Sequence, residues 1–181
     1  MKLLLKNAYL IDPVQDHVKL GYLSIQDGKI SDIVYDDANI NHKLFDNVID
    51  CAGKYLAPGI VDVGVKICEP GERHKESFRT ASLAAAAGGV TTMVTRPDTI
   101  PAIDTPEKLE FVINRADTVS PVNIYPMAAL TCQRVGLEMT ELGFLHDAGA
   151  VGFTDCDQVI TNNKIMSRGL TYAASLGLLV Q

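Results

Sequence analysis

The residues from Ile60 to Arg96, IVDVGVKICEPGERHKESFRTASLAAAAGGVTTMVTR, decide the architecture of the chain. An apolar run, IVDVGVKI, leads into the turn-forming Glu69-Pro70-Gly71; an alanine-rich segment and a second apolar run, TTMVTR, follow. Short apolar strands alternating with helical patterns are the sequence form of βα units on a parallel sheet. The helix expected at FRTASLAAAA ends where Gly88-Gly89 offers a left-handed cap.

The same rhythm continues towards the C-terminus. Further strands are expected at VNIYPMAAL and AVGFTD, and LLVQ reads as the start of a fifth. The second helix has Thr105 as N-cap, Pro106 at its first position and Leu109, Val112, Ile113 and Ala116 on one face. The third places Met139, Leu142, Leu145 and Ala148 at helical spacing, and the fourth runs from about Asn163 to Gly177. Towards the N-terminus the signals are those of strands, LLLKNAYLI, YLSIQ and KISDIV, with an Asp27-Gly28 hairpin turn; DDANINHKL is polar and turn-like.

The expectation is therefore an α/β chain with a small β-sandwich module over residues 1–54. Residues 55–181 would form the first four to five βα units of a TIM-type (β/α)8 barrel, ending in the fifth strand. The open sheet edges of such a piece need cover from further chain or from another copy or partner.

Composition narrows the function classes. With 47% hydrophobic and 21% charged residues, the 181-residue chain is of globular type rather than disordered. A net charge of −6 without long Lys/Arg runs gives no footprint for nucleic acid or anionic membranes. MKLLLKNAYLID reads as a strand rather than a signal peptide, and no run approaches the roughly 20 apolar residues of a membrane span. Cys51, Cys68, Cys132 and Cys156 lack CxxC spacing, which points to reduced thiols and a cytoplasmic protein.

Specific segments then carry a family likeness: YLAPGIVDVGV, EPG at Glu69–Gly71, HKESF, AAAAGGVTT, RPDTIPAID, INRA, VNIYPMAALT, GAVGFTD and LTYAASLGLLV, in this order. In these the chain resembles the N-terminal half of a dihydroorotase-like member of the cyclic amidohydrolase superfamily. The resemblance implies a zinc-activated water attacking a cyclic amide, reversibly opening or closing dihydroorotate in pyrimidine biosynthesis. Imidazoles and carboxylates at the strand ends would hold the metal.

At those positions the chain departs from the family pattern. The implied Asp-x-His-x-His after the first barrel strand reads Asp62-Val63-Gly64-Val65-Lys66. Gly64 has no side-chain ligand, and Lys66 is an ammonium at neutral pH, with an ordinary pKa of about 10.4. Strand alternation would aim positions 64 and 66 at one face, so one site would lose two ligands. The implied substrate-gripping Arg is Cys68, and the implied Asn in Met-Pro-Asn-Thr is Asp98, a like charge towards an anionic substrate. In Thr154-Asp155-Cys156-Asp157 the family ligand Asp aligns with Cys156, with Asp155 as the alternative. His17, His42, His74 and His146 form no ligand cluster in the sequence.

These substitutions imply a chain with no catalytic residue and no metal or cofactor of its own. Its degenerate site is Gly64, Lys66, Cys68, Asp98, Asp155 and Cys156. Lys66 is expected to pair with Asp155, Asp98 or Glu69, since an unpaired buried charge is costly. By family resemblance the role would be that of a structural partner, in a homo-oligomer or a complex with aspartate transcarbamoylase. Two alternatives stand beside it. One is an active cyclic amide hydrolase with a remodelled site, using Lys66 as base or nucleophile. The other is an ordinary metal enzyme whose ligands lie mostly after residue 181.

Overall fold

The computed structural model describes residues 1–35 and 40–181. The turn expected at the start of DDANINHKL falls on residues 36–39 and lies outside them. The chain divides into two compact units, Met1–Pro58 and Gly59–Gln181.

The first unit is one five-stranded sheet. Strands β1 (Lys2–Asp12), β2 (His17–Gln26) and β3 (Lys29–Tyr35) run antiparallel in sequence order. The β2–β3 turn is the expected Asp27-Gly28, with φ of 52° and 78°, which suits the twist of the flanking strands. β4 (Asn47–Asp50) and β5 (Tyr55–Leu56) both pair in parallel with β1, the first at Leu3–Lys6 and the second at Tyr9–Leu10. Because β4 and β5 lie one after the other along the same strand, the described residues form a single sheet and not the two layers of a sandwich. Tyr55 and Leu56 belong to this sheet, which is why the division falls at Pro58 and not after residue 54.

The second unit alternates strand and helix. β6 (Ile60–Val65), β7 (Val90–Thr95) and β8 (Asn123–Pro126) form a parallel sheet in chain order. A parallel bridge from Ala128 to Phe153 leads to β9 (Gly152–Phe153), which pairs in parallel with β10 (Leu179–Val180). The intervening helices are α1 (Phe78–Ala87), α2 (Pro106–Val119), α3 (Leu142–Asp147) and α4 (Asn163–Ser175). Each boundary has a local cause. Ser77 and Thr80 form a reciprocal capping box at α1, and Gly89 turns left-handed after it, with φ of 81°. Pro106 opens α2, and Asn162 caps α4 by accepting from Lys164 and Ile165 N–H. α3 is shorter than expected because Met139 is drawn into an antiparallel bridge with Thr131. His74 lies in the turn before α1.

The core is the apolar face of these helices against the sheet: Leu109, Val112 and Ala116 from α2 meet Met93, Leu130, Leu142, Leu145 and Phe153. No helix among the described residues is long and apolar enough to cross a membrane.

Candidate functional site

β6 supplies the first side chain of the site through an irregularity. Its ladder to β7 runs to Val63–Val94 and resumes at Val65–Thr95, leaving Gly64 as an unpaired bulge with φ of 88°. A bulge re-aims whatever follows it. The strict alternation expected to put positions 64 and 66 on one face is therefore broken. β6 ends at Val65, and Lys66 extends beyond it with a side chain 53% exposed. A Cβ built on Gly64 would stand 3.5 Å from Gln181 Nε2, so the amide of Gln181 lines the space beside the bulge.

β7 supplies Arg96 and Asp98. The Arg96 N–H donates to Val65 O at 2.9 Å, fixing the start of the Arg96-Pro97-Asp98 turn beside Lys66. Asp98 is buried, its side chain 2% exposed, and its Oδ2 accepts from Arg96 Nη2 at 2.9 Å and faces Lys66 Nζ at 3.0 Å. Asp98 is thus the expected partner of Lys66. The expectation that Asp98 would present a repelling charge is corrected, because two cations cover it.

The loop after β8 supplies Arg134. It sits in a one-turn helix, Cys132–Arg134, in which Gln133 and Arg134 both have positive φ, 53° and 61°. Left-handed backbone at two adjacent non-glycine residues is a strained arrangement that surrounding contacts must hold. Gln133 N–H donates to Asp104 Oδ2 at 2.8 Å, and Arg134 Nη1 reaches Asp155 O at 3.3 Å and Asp157 Oδ1 at 3.1 Å.

β9 leads into Thr154-Asp155-Cys156-Asp157, and the three side chains after Thr154 serve different ends. Asp155 is buried and turned into the protein, where it accepts from Leu130 N–H and Thr131 N–H at 3.0 Å each and from the Thr131 hydroxyl. It ties the end of β9 to the loop after β8 and does not pair with Lys66. Cys156, with φ of 59°, places its thiol beside Arg96. Asp157 is exposed and lies 3.9 Å from Arg96 Nη2.

The site is therefore a chain of alternating charges, Lys66, Asp98, Arg96, Asp157 and Arg134. Asp98, by hydrogen bond and by charge, holds the Lys66 ammonium above the usual lysine range. Burial, then the Asp98 carboxylate, pushes the Cys156 thiol up against the opposing pull of Arg96, which keeps it protonated at neutral pH. Asp157 is held low by a backbone hydrogen bond and by Arg134. Buried Arg96 Nε, Arg134 Nε and Asp98 Oδ1 have no hydrogen-bond partner among the described residues.

Of the positions singled out in the sequence, Lys66, Asp98 and Cys156 converge, Cys68 lies partly buried near Lys66, Gly64 forms the bulge, and Asp155 points away. Glu69 does not pair with Lys66. It accepts from Phe78 N–H at 3.0 Å and from Arg115 Nε at 2.9 Å, joining the start of α1 to α2. Sequence reasoning missed Arg96, Arg134 and Asp157 as site residues. The place of Arg96 directly after a strand was the available signal, whereas Arg134 depends on a backbone conformation with no periodic signature. Among the described residues, no three His, Cys, Asp or Glu side chains converge as a metal site would need.

Comparison with known proteins adds the kinship. Residues 53–181 match the profile of the family described as Dihydro-orotase-like. The chain is 37% identical over 178 residues to a dihydroorotase of Sulfurihydrogenibium sp., covering 98% of this chain and 41% of that protein. It is also 37% identical over 180 residues to a dihydroorotase-like protein of Pseudomonas aeruginosa, covering 99% of this chain and 42% of that one. In fold it superimposes on L-hydantoinase (dihydropyrimidinase) from Arthrobacter aurescens with a TM-score of 0.83 at 24% identity, covering 98% of this chain and 39% of that one. The chain thus spans about two fifths of the length of the curated relatives it matches.

Proposed function

The chain belongs to the dihydro-orotase-like family, and on that premise we propose that it is part of a non-catalytic dihydroorotase-like protein of pyrimidine biosynthesis. Its role in this reading is structural: the barrel serves as a partner, for example of aspartate transcarbamoylase, alone or as a homo-oligomer. The observation that carries the reading is the Lys66–Asp98 pair at 3.0 Å, at the strand end where the resemblance calls for metal ligands.

The residues present do not fit a zinc ion. Zinc needs lone pairs from imidazole, thiolate or carboxylate, and a catalytic site takes about three such protein ligands. Here Lys66 and Arg96 point ammonium and guanidinium groups at the buried Asp98 carboxylate, which is engaged by both. Cys156 is held as a neutral thiol, and Asp155 is committed to backbone N–H groups.

The remodelled hydrolase is the weaker reading because a lysine acting as base or nucleophile must be uncharged, and Asp98 shifts Lys66 the other way. The full-length protein, purified with its own transcarbamoylase, is expected to co-elute with it, to carry no stoichiometric zinc and to leave dihydroorotate unchanged. Stoichiometric zinc with turnover would sink the non-catalytic reading, turnover abolished by Lys66→Ala would restore the remodelled hydrolase, and separate elution at micromolar concentration would remove the partnership.

A further inference from the structure

Asp157 lies across two arginines that are more buried than it is. Its carboxylate side chain is 67% exposed, whereas those of Arg134 and Arg96 are 18% and 28% exposed, and both guanidinium groups reach the same Oδ1, at 3.1 and 3.9 Å. Each guanidinium also keeps a buried Nε–H without an acceptor among the described residues. A desolvated cationic donor left unsatisfied is expensive, and so is left-handed backbone at Gln133, Arg134 and Cys156 in one small region. Asp98 does not relieve this: its Oδ2 is shared by Arg96 and Lys66, and its Oδ1 accepts no hydrogen bond among the described residues. Asp155 does not either, because its side chain is turned to the Leu130 and Thr131 N–H groups.

We infer that Arg96 and Arg134 form a clamp for a small oxyanion, a carboxylate or a phosphate, and that Asp157 occupies this clamp as an exchangeable stand-in from the same chain. Guanidinium groups suit such ligands because their planar N–H pairs match two oxygens at once. When Asp157 swings into solvent, Lys66, Arg96 and Arg134 face the single carboxylate of Asp98, and the excess of positive charge receives the incoming anion. The incoming anion takes over, with more than one oxygen, the Arg96 Nη2 and Arg134 Nη1 donors that Asp157 now meets through Oδ1 alone. Because binding is read directly, this inference stands apart from whether the protein turns over a substrate or has a protein partner.

Calorimetric titration of the protein with inorganic phosphate, and separately with malonate, tests it. The expected result is saturable binding of at least one of the two, and the tighter one identifies a phosphate or a carboxylate as the ligand class. Removing the stand-in with Asp157→Asn, at an exposed position, is expected to tighten binding about five-fold. Arg134→Gln is expected to weaken it about ten-fold or more. Absence of saturable binding of either anion to both the unaltered protein and Asp157→Asn overturns the clamp. Binding that is insensitive to Arg134→Gln and to Asp157→Asn overturns it equally.

Discussion

At the scale of single residues, the run Thr154–Asp157 shows how little a carboxylate's identity says about its work. Asp155 carries three hydrogen bonds in the interior, two of them from buried backbone N–H groups. Asp155→Ala is expected to lower unfolding free energy by about 3 kcal/mol, since each orphaned buried donor costs about 1–3 kcal/mol. Asp157→Ala should cost no more than about 1 kcal/mol, because Asp157 is exposed and its ion pairs are solvent-screened; equal midpoint shifts in the two variants would refute the assignment of roles. Lys66→Ala should cost no more than about 1 kcal/mol, the ammonium being half in solvent and Arg96 remaining to hold Asp98. The pKa of Lys66 is raised on folding, so this contribution is fully present below the unfolded value of about 10.4 and disappears as pH rises through the folded one. Denaturant melts of the two proteins should therefore differ at pH 7 and converge only in strong alkali. Lys66 and Asp98 were legible because both follow strands and a buried charge needs a partner. Arg134 was not, because its side chain is aimed by left-handed backbone that nothing in TCQRVG announces.

At the scale of elements, the helices were easier to read than their fastenings. Leu109, Val112 and Ala116 form the buried stripe of α2 that their spacing implied. The start of α1 is held by two devices, the Ser77–Thr80 box and the Glu69 carboxylate accepting from Phe78 N–H. Glu69 stood out in the sequence as part of Glu-Pro-Gly and as a candidate partner for Lys66; its bond to Arg115 spans 46 residues and has no local pattern. Ser77→Ala removes one of the two devices and should destabilise by about 1 kcal/mol, read from the thermal or denaturant midpoint. A loss near zero would mean that Glu69 alone suffices to hold the helix start.

At the scale of the whole molecule, parallel order and alternation were visible from Ile60 onwards, but the layering of the N-terminal sheet was not. Two short strands placed in line along β1 give the same apolar and turn signals as strands in a second layer. The second unit leaves Ile60, Val61 and Val63 of β6 between 56% and 60% exposed, on a strand paired with β7 alone among the described strands. Exposed apolar edge strands template association. This chain on its own is therefore expected to self-associate with rising concentration in sedimentation velocity, and Val61→Lys should suppress that. A monomer at all concentrations would show that the edge is not adhesive.

The bulge at Gly64 bears on what a metal centre in this strand would demand. Placing histidines at positions 64 and 66 would supply the letters of the family's ligand motif, but position 64 holds φ of 88°, a conformation an L-residue enters at a cost of about 1–2 kcal/mol. The ladder to β7 skips that residue, so an imidazole there would start from a displaced backbone. Building a metal centre here would require the strand to be re-registered as well as re-lettered, and the path from the present sequence to such a centre runs through intermediates that carry the strain before they gain the ligand.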